Sequence, residues 1–241
     1  MSLLGNFFGK IGYFNHLRRL PAPAEKFYRR GMKLGGMAPK YEGTFGVLLL
    51  KQGKYEEALA RFNGALSSKA CKRELRSLIS MNRAITWFRL GQVDKAIAAL
   101  ESLQKSFKGL RVYQTLGYFY TAAGMFDKAE PYNLEACEYD PDDAVIQDNT
   151  GQMYLEMGQY GKAKGYFEKA YAKKHISDVL YHMGLIAEHE GRPEDALAHY
   201  REAMTKNMDA LNDVTPAKLR ERIDAIREQL GITDEEEEDE I

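Results

Sequence analysis

The residues able to do chemistry in this chain are few and poorly grouped. His182 and His189 stand seven positions apart in a stretch that reads as one helix. Two helical turns separate them by ~10.5 Å, too far to share a metal held by bonds of ~2 Å. His189-Glu190 opens like a zinc-protease motif, but the second histidine is missing and Pro193 breaks the local helix. Gly161-Lys162 lacks the upstream glycine of a phosphate-binding loop. Gly31…Gly35-Gly36 has neither the spacing nor the preceding strand of a dinucleotide fingerprint. Cys71 and Cys137 lie far apart, in no metal-like spacing, and read as small hydrophobes in a reducing, cytoplasmic compartment. No nucleophile stands beside a base. The residues therefore predict no enzyme, no cofactor and no metal site.

Composition narrows the class further. At 44 % apolar and 29 % charged residues, the chain has the balance of a folded globular protein rather than a disordered one. No apolar run approaches the ~18–20 residues of a membrane span. Gly5, Asn6, Gly9 and Lys10 interrupt the apolar residues at the N-terminus, so it does not read as a signal peptide. The net charge of −1 conceals a segregation. Residues 1–40 hold eight basic residues and one acidic residue, a net of +7, whereas Asp234–Glu240 is seven consecutive acids.

The elements that must position these groups are announced by small residues. Gly46, Ala84, Gly117, Gly151 and Gly184 are separated by 38, 33, 34 and 33 residues. Gly53, Gly91, Gly124, Gly158 and Gly191 repeat the same intervals, and so do Ala58, Ala96, Ala129, Ala163 and Ala196. In each unit the first small residue allows two helices to approach closely. The second marks a helix end, where a left-handed backbone is needed. The alanine starts an i, i+4, i+7 stripe, with Phe62, Leu100, Phe167 and Tyr200 at its middle position and Asn133 as the exception. That spacing is helical. Each unit therefore reads as two helices, and Tyr55, Tyr113, Tyr120, Tyr154, Tyr160 and Tyr200 fall at packing positions.

With Gly117…Tyr120…Gly124…Ala129…Ala136…Pro141 as its fullest example, the pattern resembles the tetratricopeptide-repeat family. The resemblance covers residues 39–210 as five repeats and implies an all-α fold, a right-handed superhelical solenoid of antiparallel helix pairs. The 38-residue interval places an insertion around Lys69–Leu75, and Pro131 predicts at most a mild distortion of its helix. Residues 1–38 read as a degenerate first repeat, because Gly12 and Ala24 each precede their counterparts Gly46 and Ala58 by 34 positions. Residues 211–231 read as a capping helix, started by Thr215-Pro216 and stopped by Gly231. The acidic end, 232–241, cannot bury anything and is expected to be disordered.

The same resemblance implies a function: a scaffold that binds a protein or peptide segment on the concave face lined by the first helix of each repeat. Those offsets select Asn82, Ile85 and Arg89, then Arg111, Gln114 and Tyr118, then Asp148, Asn149 and Gln152, and finally Asp178, Tyr181, His182 and Leu185. Some family members grip a C-terminal carboxylate with lysines, asparagines and an arginine. Here Gly43 and Val47 stand at the first pair of those positions and Thr115 replaces the arginine, leaving Asn82 and Arg111, which argues against that ligand.

A second reading concerns the basic head. Leu3, Leu4, Phe7, Phe8, Ile11, Phe14 and Leu17 form an apolar helical stripe accompanied by Lys10, Arg18 and Arg19. Such a stripe over residues 3–19 suits an anionic membrane surface, or it packs on the first repeat as a cap, which Gly12 in register favours. Nucleic acid is the weakest partner: the basic head is short and the acidic end opposes phosphate.

Overall fold

The computed structural model describes residues 1–107, 109–208 and 213–232. Among these, thirteen helices and no strand are present: α1 (Leu3–Leu17), α2 (Pro21–Lys33), α3 (Pro39–Lys51), α4 (Tyr55–Ser67), α5 (Arg73–Arg89), α6 (Val93–Gln104), α7 (Leu110–Ala122), α8 (Phe126–Tyr139), α9 (Ala144–Glu156), α10 (Tyr160–Lys173), α11 (Ser177–His189), α12 (Pro193–Met204) and α13 (Pro216–Leu230). The chain divides into two compact units, Met1–Val112 and Tyr113–Ile241. The acidic stretch 234–240 lies outside the described residues.

Local sequence explains where the helices begin and turn. Pro21, Pro39, Pro193 and Pro216 occupy first turns, where a missing N–H costs nothing. Ser2, Asp143 and Thr215 cap α1, α9 and α13 by accepting backbone N–H bonds with their side chains. Within the later pairs, Gly158 (φ 71°) and Gly191 (φ 69°) take the left-handed backbone that lets the second helix fold back on the first.

The close-approach positions share one contact. A Cβ on Gly46 would meet the Phe62 ring at 2.6 Å, and one on Gly151 would meet the Phe167 ring at 2.6 Å. Gly184 takes Tyr200 in the same manner, and Gly12 takes the Tyr28 ring at 2.7 Å, so the opening helix pair repeats the device. Gly117 faces Asn133 instead. The Asn133 amide is buried and donates to Thr121 Oγ1 at 3.3 Å, while Tyr132 packs edge-on against Tyr120 beside it. Ala58, Ala96, Ala129, Ala163 and Ala196 are fully buried.

Two expectations change in detail. The extra residues of the 38-residue interval lengthen α5 at its N-terminal end: it has 17 residues where α3, α7, α9 and α11 have 13. Four residues are about one turn, so the insertion leaves the register of Ala84 undisturbed. Of the six packing tyrosines, Tyr113, Tyr120, Tyr154 and Tyr200 are buried, but Tyr55 is half-buried and Tyr160 is exposed, stacked on His189 with ring centroids 3.6 Å apart. Tyr160 begins α10, too close to the turn to be covered. Pro131 leaves α8 a single helix.

The head of the chain departs most. α1 packs chiefly through the side that carries Gly5, Gly9 and Gly12, and only part of its apolar stripe joins in: Phe8 and Ile11 are half-buried, with Phe8 stacked on Phe27 of α2 at 6.2 Å between ring centroids. A Cβ on Gly9 would lie 2.8 Å from Met37 Sδ. Without side chains on that side, α1 lies almost backbone-deep on its neighbours, and Leu3, Leu4, Phe7, Phe14 and Leu17 are left exposed.

Candidate functional site

The positions selected by the repeat offsets divide between the units. In the first, Asn82, Ile85 and Arg89 are half-buried on α5, and Arg111 is exposed on the first turn of α7. The Asn82 amide donates to the Leu78 carbonyl one turn back, at 2.8 Å.

In the second unit four of the nine selected side chains hold the first helices of successive repeats together. Gln114 Nε2 donates to Asp143 Oδ1 at 2.9 Å, and Asn149 Nδ2 donates to the Gln114 carbonyl at 2.7 Å, tying α9 to α7. Asp148 and His182 are buried and meet at 2.8 Å, Oδ1 to Nδ1, tying α9 to α11. The Phe167 ring lies flat on the imidazole, centroids 4.8 Å apart. Burial alone would push the imidazolium pKa down, but the Asp148 carboxylate more than offsets it, with Asp178 and Asp213 adding to the effect, and the net pKa lies above the ordinary 6.5.

The last repeat is covered. Asp178 Oδ1 accepts the Val214 backbone N–H at 3.3 Å. Tyr181 is buried in one apolar cluster with Leu180, Tyr200, Val214, Leu219 and Ile226, and Leu185 packs against it. Lys218 stands over the Tyr181 ring at 5.8 Å, and Arg222 shares a hydrogen bond with its side chain. Thus α13 and the segment before it cover these residues of α11.

Tyr118 and Gln152 are placed differently. They are half-buried, hold the same position in successive repeats, and line one cleft of about 370 Å³. Thr121, Glu156, Asp213 and Lys218 complete its polar wall. The sequence selected Tyr118 and Gln152 but missed Asp213 and Lys218, which no repeat offset indicates. The Asp148–His182 pair was also missed, although its 34-residue spacing was the available signal.

Among the described residues, no group of three or more His, Cys, Asp or Glu is arranged to hold a metal, and no helix is long and apolar enough to cross a membrane. Cys71 is buried and Cys137 half-buried, its thiol 3.3 Å from Thr150 Oγ1.

These helix pairs, with a small residue of one helix against a ring of the next, define an all-α helical-repeat fold of the solenoid class. A family model for the tetratricopeptide repeat matches residues 44–110 and 149–210, more than half of the chain, and a second model of that repeat matches 110–143. The chain belongs to the tetratricopeptide-repeat family. Human protein O-mannosyl-transferase TMTC1 is 24 % identical over 219 residues, 86 % of this chain and 24 % of that protein. The chain thus spans about a quarter of that relative's length. A tetratricopeptide-repeat protein of Thermus thermophilus shares the fold at a TM-score of 0.66 and 22 % identity, over 78 % of this chain and 98 % of its own. A chain of the APC/C hetero-tetramer Cut9–Hcn1 does so at 0.68 and 14 % identity, over 91 % of this chain and 42 % of its own. At such identities the likeness establishes the fold.

Proposed function

We propose that this chain is a non-catalytic scaffold that holds a segment of another protein against the inner helices of its repeats. The observation that carries the reading is the cleft of the second unit. There Tyr118 and Gln152, at equivalent positions of successive repeats, line one polar hollow, and the Gln114–Asp143 and Asp148–His182 contacts fix the helices around it. A preformed wall of this kind lowers the ordering cost of binding. With Glu156, Asp213 and Lys218 beside the tyrosine, the cleft suits a hydrogen-bonding, charged segment better than an apolar plug. In the first unit the same assignment rests on Ile85, Arg89 and Arg111. Cut9–Hcn1 is a hetero-tetramer, and a part in a multi-protein assembly is consistent with the scaffold reading here. The transferase named in the human relative is a property of a protein about four times as long and is not carried over to this chain.

The test is partner capture with full-length protein and with Tyr118→Ala and Gln152→Arg variants of unchanged helix content. A specific partner that is lost with both supports the cleft. A partner retained undiminished by both removes it from the binding surface.

A further inference from the structure

The head of the chain carries a surface that the scaffold reading does not use. On α1, Leu3, Leu4, Phe7, Phe14 and Leu17 are between 52 % and 89 % exposed, while Gly5, Gly9 and Gly12 on the opposite side are buried. At 3.6 residues per turn the large apolar residues centre about 180° from the glycines. The apolar face is therefore the outermost surface of its unit, and the glycine side fixes it there. So many adjacent large apolar side chains held away from a core mark an interaction site.

Charge identifies the occupant. Lys10 and Arg18 fall on the apolar face itself and Arg19 follows directly. No acidic residue precedes Glu25, and that carboxylate is taken up by Arg29 at 2.7 Å and Lys54 at 2.9 Å. Two further cations, Arg30 and Lys40, stand over the Phe8 and Tyr13 rings of α1, at 4.2 and 4.4 Å. A second copy docking by this face about a two-fold axis would add its own Lys10 and Arg18 to the interface and bring no acid from this segment to pair any of them. An anionic lipid surface instead supplies hydrocarbon for the phenylalanines and leucines and phosphate or carboxylate for the cations. An apolar hollow of about 710 Å³, bounded by Leu3, Leu4, Phe7, Ala38 and Tyr41, opens along the same face, so acyl chains have room beside the helix.

We propose that the exposed face of α1 docks this protein in the plane of an anionic lipid interface, with Leu3, Leu4, Phe7 and Phe14 buried among acyl chains and Lys10, Arg18 and Arg19 at the headgroups. The helix lies on the bilayer and does not span it. This inference is independent of the cleft at Tyr118.

The experiment is flotation of the full chain with phosphatidylcholine vesicles, with and without phosphatidylserine, at low and high salt. Binding to the phosphatidylserine vesicles alone, weakened by salt, is the expected result. Phe7→Glu with Phe14→Glu should bring binding to background, and Lys10→Gln with Arg18→Gln should weaken it about thirtyfold. All four side chains point away from the body, so helix content and Tm should hold in both variants. Equal binding to neutral and anionic vesicles, or binding to neither, overturns the proposal. So does light scattering that shows a dimer which Phe7→Glu with Phe14→Glu dissociates, because the face would then belong to a second copy.

Discussion

Asp148 and His182 sit one repeat apart in sequence and meet as a buried pair, carboxylate Oδ1 to imidazole Nδ1, at 2.8 Å. The contact joins two successive inner helices, α9 and α11, through charge rather than apolar area. Removing one member strands the other in a dry site. Asp148→Ala should therefore cost about 3–5 kcal/mol of stability in urea unfolding. A cost below about 1 kcal/mol would show that the pair is solvated or absent.

The same pair makes a pH prediction with a definite sign. The His182 pKa is raised in the folded chain, above the value of about 6.5 for an unfolded histidine. Its contribution to stability is fully present below the unfolded pKa and is lost as pH climbs through the folded one. NMR titration should place the imidazole above 6.5 in the native chain. In Asp148→Asn, burial is opposed only by Asp178 and Asp213, and the value should fall relative to the unaltered chain. A rise in that variant would contradict the assignment.

Two tyrosines chosen by the same reasoning should respond in opposite ways. Tyr181 lies in the cluster beneath α13, so Tyr181→Ala should cost about 3–5 kcal/mol. Tyr118 is half-buried on the cleft wall, and Tyr118→Ala should cost roughly 1 kcal/mol or less while changing partner capture. Equal losses of stability would mean that Tyr118 is a packing residue as well.

Glycines can be sorted by what a methyl group would strike. At Gly151 an added Cβ lies 2.6 Å from the Phe167 ring, and Gly151→Val should destabilise by about 1–3 kcal/mol. At Gly165, inside α10, nothing lies within 4 Å, and Gly165→Ala should stabilise by about 0.5–1 kcal/mol. Thermal melts of both variants decide the matter.

Thr215 caps α13 by accepting the Lys218 N–H at 3.2 Å. Thr215→Ala should cost about 1 kcal/mol, seen as a lowered Tm. An unchanged melt would mean that α13 is held by Leu219 and Ile226 alone.

The repeat frame was legible because its constraints are steric. Only a residue with little or no side chain fits beneath the Phe62, Phe167 or Tyr200 ring, so Gly46, Gly151 and Gly184 recur at fixed intervals. The environment of the candidate site was less legible. Offsets locate Tyr181 and Asp178 on an inner helix but do not reveal that α13 comes to rest over them. Nor does a helical face show that Asp148 will be matched by His182 from the following repeat. On α1, Gly12 in register pointed to the side that packs, but an apolar stripe does not by itself show that three glycines opposite it allow the closer approach.

The ring-on-small-residue contacts also bear on how the chain acquires its structure. Residues 12 and 28, 46 and 62, 151 and 167, and 184 and 200 are each sixteen positions apart, inside a single hairpin of helices. Each such hairpin closes on itself before any distant segment is needed. Proteins dominated by short-range closures fold quickly, in microseconds to milliseconds. A chain emerging from the ribosome can thus assemble in order, one hairpin after another, each offering its flank as a template for the next.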